Sequence, residues 1–198
     1  FNSPFKQTNI SALWNSWHMT LTMFINNYLY KPIVFSFKNI SEYKIAFAII
    51  CTMTLAGLWH GANWTFAVYG LIHAFFMTIN HLWRKRFFLK EIDTNNLVRI
   101  FYWLITFSSV VFSMVIFRSE NVSTGINVYQ GMLGLNGIEM DLPNIKLLII
   151  IIFSMYLILC TKSTFIIVED FFDNQKLKNI DYKNKIKKKI TNYSILSG

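Results

Sequence analysis

The sequence predicts an all-α, polytopic transmembrane protein, and three observations carry that reading. Charged residues make up only 15% of the chain, against about 25% in ordinary soluble domains. Phe alone fills 19 positions and the mean hydropathy is +0.38. The 19 Lys and Arg that set a net charge of +9 stand in blocks between long apolar runs. A soluble domain of 198 residues could not hide so much apolar surface. Nucleic acid is not an expected partner, because its binders spread their cations along one polar face. The shortage of Gly, Pro and Cys excludes collagen, low-complexity and disulfide-stapled classes. Cys51 and Cys160 both lie in apolar runs, where a thiol behaves as a small hydrophobe. Because Phe1 stands inside a pattern already under way, the chain is expected to be a carboxy-terminal portion of something longer.

The first element follows from a three- and four-residue spacing. Ile10, Leu13, Trp14, Trp17, Leu21, Phe24, Ile25 and Tyr28 predict one amphipathic helix. Asn9 or Ser11 can cap its start, and Pro32 predicts a stop shortly after Tyr30. Its polar face is nearly uncharged, which suits packing on protein or lying at a membrane interface. His18 falls on the apolar side.

The run from Lys44 to Leu58 would rise roughly 22 Å as a helix, short of the ~30 Å of hydrocarbon. Gly57 and Gly61 then bracket a polar interruption before Trp64 to His81 resumes apolar character. A re-entrant or interrupted helix is therefore expected, with Trp59, His60, Gly61, Ala62 and Asn63 part-way into the membrane. Such backbone is tolerated there only against protein or a water-filled cavity.

Leu97 to Phe117 is long enough for a full span and Ile145 to Cys160 nearly so, with Lys162 placed to snorkel. Between them, Arg118 to Asn144 reads as a polar loop carrying Glu120, Glu139 and Asp141. Cations gather instead at Arg84, Lys85, Arg86 and Lys90, and at Lys176, Lys178, Lys183, Lys185, Lys187, Lys188 and Lys189. The positive-inside tendency makes both basic segments cytoplasmic and the Arg118 to Asn144 loop external. The division expected is a membrane portion over 1–168 and a basic tail over 169–198, the tail lying near anionic lipid headgroups.

Ionisable groups within a membrane are costly, so each histidine is a functional hypothesis. His60 stands in the interruption, between glycines that let other groups approach and beside Trp59, Asn63 and Trp64. Desolvation would hold its imidazole unprotonated near neutral pH, ready to take a proton from a hydroxyl. A buried structural histidine is the competing reading. His73 shares a helical side with Phe66 and Tyr69, which suits packing, and His81 adjoins the basic loop. No His pair has i, i+4 spacing with a carboxylate nearby, and Glu and Asp are absent from the apolar spans, so neither a metal site nor a Ser-His-Asp arrangement drawn from these segments is expected. What remains is a histidine suited to moving an already activated acyl group onto an alcohol, given a base and oxyanion donors.

The string Gly57-Leu58-Trp59-His60-Gly61-Ala62-Asn63-Trp64-Thr65-Phe66, continuing to Tyr69-Gly70-Leu71-Ile72-His73, resembles the signature of the membrane-bound O-acyltransferase family. The resemblance is closest to the bacterial branch of alginate and peptidoglycan O-acetyltransferases and teichoic-acid D-alanyl transferases. Phe1-Asn2-Ser3-Pro4-Phe5, Trp17-His18 and Tyr28-Leu29-Tyr30 are similar to the stretch ahead of that signature. Phe117-Arg118-Ser119 with Gly131-Met132 resembles its closing portion. The resemblance departs at Asn26-Asn27 and Ile33-Val34, where relatives usually show Arg-Asp and a Gly-Gly turn, so donor handling is expected to differ.

By that resemblance His60 corresponds to the family's catalytic histidine and His18 to the second histidine of its active region, with Trp59 and Asn63 as candidate substrate-binding donors. It implies a many-helix core in which a cytosolic thioester, acetyl-CoA or another, meets a cell-envelope polysaccharide or an extracytoplasmic acetyltransferase partner. No bound cofactor is expected. The expected protein is an O-acyltransferase of the bacterial inner membrane, whose portion here would be inactive alone. The runner-up is a transporter or flippase component in which His60 relays protons.

Overall fold

The computed structural model describes residues 1–87, 95–137, 144–173 and 176, and every regular element among them is helical. A short 3-10 turn at Pro4–Lys6 leads into α1 (Ile10–Ser16) and α2 (Met19–Ile25). A π-helical segment at Asn26–Tyr30 then runs into α3 (Lys31–Phe35). The longer helices follow: α4 (Glu42–Leu58), α5 (Trp64–Arg86), α6 (Asn96–Arg118), α7 (Val122–Met132) and α8 (Ile145–Cys160).

The single amphipathic helix expected from Ile10 to Tyr30 is broken in the structure. His18 takes φ 39° and ψ 57°, a left-handed conformation that ends α1 and opens α2. Side chains stabilise the break. The Leu21 N–H donates to Nδ1 of His18 at 3.3 Å, and the Thr22 hydroxyl reaches the carbonyls of Trp14 (3.0 Å) and Trp17 (2.9 Å). These bonds satisfy groups that two abutting helix ends leave without partners. Nor does Pro32 stop the helix. The π-segment before it shifts the register, and Pro32 sits in the first turn of α3, where a missing N–H is tolerated. Of the two expected caps, Asn9 is the one used, its Oδ1 accepting from Ala12 N at 2.8 Å. Ser11 instead accepts from Nδ2 of Asn80 at 2.8 Å, which ties α1 to α5.

The interruption expected at Trp59 to Asn63 is the connection of an antiparallel hairpin, α4 to α5. Its helices approach closely because glycines face each other. A Cβ on Gly70 would lie 2.2 Å from the Met53 carbonyl oxygen, and one on Gly57 as close to that of Phe66. At the far end Glu42 closes the hairpin by accepting from Lys85 and pairing with His81 at 2.8 Å. Antiparallel to α5 runs α6, held by Asn63 Nδ2 donating to the Glu120 carbonyl at 3.0 Å and by Ser113 against His73.

The expected polar loop after Arg118 contains a helix. Asn121 caps α7 through Thr124 N at 2.9 Å, and Gly125 lets it settle on Ile116. Tyr129 stacks on Phe112 with centroids 4.3 Å apart and donates to that residue's carbonyl. The loop reading missed this because α7 has few charges and few large apolar residues. Glu139, Asp141, Lys90 and the tail lysines from Lys178 onward lie outside the described residues.

Trp64–Arg86, Asn96–Arg118 and Ile145–Asp173 are long and apolar enough to cross a membrane. The last is irregular at 161–163, and its Lys162 pairs with Asp170 at 2.9 Å. None of the residues of α8 is buried against the other described elements. The amino-terminal segment straps two of these spans. Trp103 Nε1 donates to the Phe5 carbonyl at 2.7 Å, Lys6 Nζ to that of Thr161 at 2.5 Å, and Ser163 Oγ to Asn2 Oδ1 at 2.9 Å. Among the described residues two small clusters pack together, Ile10 with Leu13 and Val110, and Ile49 with Met53 and Ala74. Trp14 and Met77 pack against both.

Candidate functional site

His60 stands in the hairpin turn, where its backbone N–H bonds the Gly57 carbonyl at 3.0 Å. Among the described residues its ring is held by aromatic contacts: Phe117 edge-on at 5.0 Å, Trp59 at 5.1 Å and Tyr69 at 6.2 Å. Phe117 comes from the end of α6, so three helices place one imidazole. Among the described residues these rings leave His60 partly uncovered. Partial burial, and then the charge of nearby His18, hold its imidazole below the ordinary value.

His18 reaches the same place from the α1–α2 break. Its ring lies 6.5 Å from that of Trp59 and 5.7 Å from that of Phe1. With Nδ1 engaged by the α2 cap, Nε2 is its remaining polar atom. The left-handed backbone at His18 is the kind of local strain that gathers at functional positions. His18, His60 and Trp59 line one cavity of about 40 Å³, with Trp17, Leu21 and Tyr69 among its other walls. That is room for a few small atoms, of the order of a water or a carbonyl group.

A second cavity of about 250 Å³ adjoins it, lined by polar groups of Asn15, Asn26, Tyr30, Thr52 and His81. Trp14, Thr22, Ile25, Met53 and Ala56 line both and so form the wall between them. Thr52 is buried, and its hydroxyl finds no partner among the described residues. A buried hydroxyl left that way favours an occupant able to bond it.

Asn63 is not brought into the small cavity. Its Oδ1 accepts from Thr65 N at 3.1 Å and its Nδ2 holds the Glu120 carbonyl, so the side chain fixes the turn and both its ends are engaged. His73 is buried as expected, at 1% exposure, with two partners that sequence spacing could not supply: Trp14, 59 residues away, and Ser113, 40 away. Among the described residues no three His, Cys, Asp or Glu side chains converge as metal ligands do.

Fold and site together define a helical membrane protein that presents two histidines to one small cavity. The chain belongs to the membrane-bound O-acyltransferase family, which it matches over residues 1–119. It is 35% identical over 144 residues to a peptidoglycan O-acetyltransferase of Helicobacter pylori, a match covering 71% of this chain and 26% of that protein. To a probable alginate O-acetylase, AlgI, of Azotobacter vinelandii it is 32% identical over 132 residues, 67% of this chain and 25% of the relative. A teichoic acid D-alanyltransferase of Bacillus subtilis is 33% identical over 128 residues, 61% of this chain and 32% of the relative. The chain thus spans about a quarter to a third of the length of these relatives.

Proposed function

We propose that these residues form part of a membrane O-acyltransferase of the bacterial inner membrane, moving an acyl group, acetyl first of all, from a cytosolic thioester to a hydroxyl of a cell-envelope polysaccharide. The acceptor is reached directly or through an extracytoplasmic partner, and the basic tail at 169–198 lies on the cytoplasmic side. The observation that carries this reading is the meeting of His18 and His60 at one cavity, in a chain of this family.

The chemistry assigns each atom a place. His60 takes the proton of the acceptor hydroxyl as its oxygen attacks the thioester carbonyl. The carbonyl oxygen, now negative, faces Nε2–H of His18, whose other nitrogen is committed to the α2 cap. Collapse breaks the carbon–sulfur bond, forms the ester and releases a thiolate, which receives the proton from His60. The 250 Å³ cavity receives the arm of the donor, with the Thr52 hydroxyl as a bonding group on its path. Trp59 lines the cavity against the substrate, while Asn63 acts by holding the turn.

The test is O-acylation of envelope polysaccharide by membranes carrying the full-length protein with labelled acetyl-CoA, wild type against His60→Ala. Removing the base should lower transfer by roughly a hundredfold or more. Undiminished transfer in the variant would remove the assignment. Proton or solute flux in the absence of any thioester would favour a transporter using His60 as a relay.

A further inference from the structure

Trp14, His73 and Ser113 form a hydrogen-bonded chain with one direction. Trp14 Nε1 lies 3.3 Å from His73 Nδ1, and an indole nitrogen can only donate, so Nδ1 carries no proton. Ser113 Oγ spends its single proton on the Val110 carbonyl at 2.8 Å. It must therefore accept, and the proton of His73 sits on Nε2, 2.9 Å away. The three side chains come from α1, α5 and α6, and the bonds define one neutral tautomer of His73. Rings secure it further. Tyr69 packs 4.6 Å from the imidazole, and Trp14 meets it edge-on at 5.0 Å.

We propose that His73 is a positioning residue that pins the indole of Trp14 in the wall it shares with Thr22, Ile25, Met53 and Ala56 between the two cavities, and so controls passage from the larger one to the histidine pair. The inference rests on reading His60 as the reacting base. His73 itself lines neither cavity, whereas Trp14 lines both. Turning the indole out of the wall would break its bond to Nδ1. A half-buried indole N–H left without a partner favours orientations of the ring that reach one.

Two readouts test this, one of them independent of activity. In the full-length protein with Cys51, Cys160 and every other native cysteine replaced by Ser, a Leu21→Cys probe reports on the small cavity, since Leu21 lines it and does not line the larger one. Its reaction rate with a methanethiosulfonate reagent should rise about fivefold or more in His73→Phe, as the loss of one hydrogen bond allows, and at least as much in Trp14→Ala, which removes the indole from the wall. In His73→Asn, whose side-chain oxygen can stand near the Nδ1 position, the rate should stay near that of the parent. In the acyl-transfer assay, His73→Phe and Trp14→Phe should shift KM for the thioester several-fold more than kcat, and the double variant should be no worse than either single one.

Equal labelling rates in all variants, or damage by His73→Asn equal to that by His73→Phe, would overturn the proposal. Should the wild type transfer no acyl group, the functional reading fails, and the labelling rates still decide whether His73 holds the partition.

Discussion

Gly57 faces Gly70 across the α4–α5 hairpin so closely that a Cβ on Gly57 would stand 3.1 Å from the Gly70 Cα. The turn bearing His60 begins two residues after Gly57, so the approach of the two backbones sets where the imidazole emerges. Substitution at Gly70 would drive a methyl group to 2.2 Å from the Met53 carbonyl oxygen, which is main chain and cannot rotate away. Overpacking of this kind costs typically about 1–3 kcal/mol. Gly70→Ala should lower both the thermal midpoint in detergent and acyl transfer, whereas Gly131→Ala, whose Cβ would meet only Asn136 Nδ2 at 3.8 Å, should change neither. Parallel melting curves check the pair, and an unchanged midpoint for Gly70→Ala would contradict the packing argument.

The base proposed at His60 gives acyl transfer an acid limb. Because burial and then His18 depress its imidazole, the limb should fall below the ordinary histidine value of 6.5, with a plateau through neutral pH. Activity is lost as pH drops through the lowered value, since the protonated ring can no longer accept. Relieving the repulsion that a protonated His18 exerts on a protonated His60 works in the opposite direction. In His18→Asn the limb should move up toward the ordinary value, while the plateau falls through loss of the oxyanion donor. A pH profile of kcat/KM in both proteins reads the two effects separately, and a limb that stays in place would show that His18 does not act on His60.

The signature from Gly57 to His73 was legible because it is local: glycines, tryptophans and one histidine within a single hairpin. The long spans were legible too, since α6 and α8 fall within a residue of the apolar runs that announce them. Two things were not. The break at His18 depends on a left-handed backbone that hydrophobic spacing does not encode, because Trp14, Trp17 and Leu21 keep helical period across it. The bond from Trp14 to His73 joins residues 59 apart, and no periodicity within one helix reports on another.

Asn63 distinguishes a substrate contact from a cap. Its two side-chain bonds are both to the main chain, so Asn63→Ala should destabilise by about 0.5–2 kcal/mol, as the loss of a helix cap does. Asn63→Asp retains the cap to Thr65 N but loses the donor to Glu120, and should recover part of that loss. Transfer normalised to folded protein should keep its KM for both substrates in the two variants. A rise in KM for the acceptor with no change in stability would instead make Asn63 a binding residue.

Glu42 joins the far ends of α4 and α5 beside the larger cavity, whose lining includes His81. Hydrogen bonds from Lys85 and then His81 hold its carboxyl below the usual carboxylate range. A group whose folded value is depressed stabilises above its unfolded value and loses that contribution as pH falls through the folded one. Wild type should therefore melt slightly above Glu42→Gln at pH 7, and the gap should close on acidification below about pH 4.5. The difference is expected to be small, because the pair stands in high dielectric and is screened. Raising the salt concentration at pH 7 should narrow it as well, since exposed charges weaken within a Debye length of about 8 Å. A gap that persists unchanged in acid would mean that the carboxylate itself does not hold the hairpin ends together, and that Glu42 acts there through its neutral contacts.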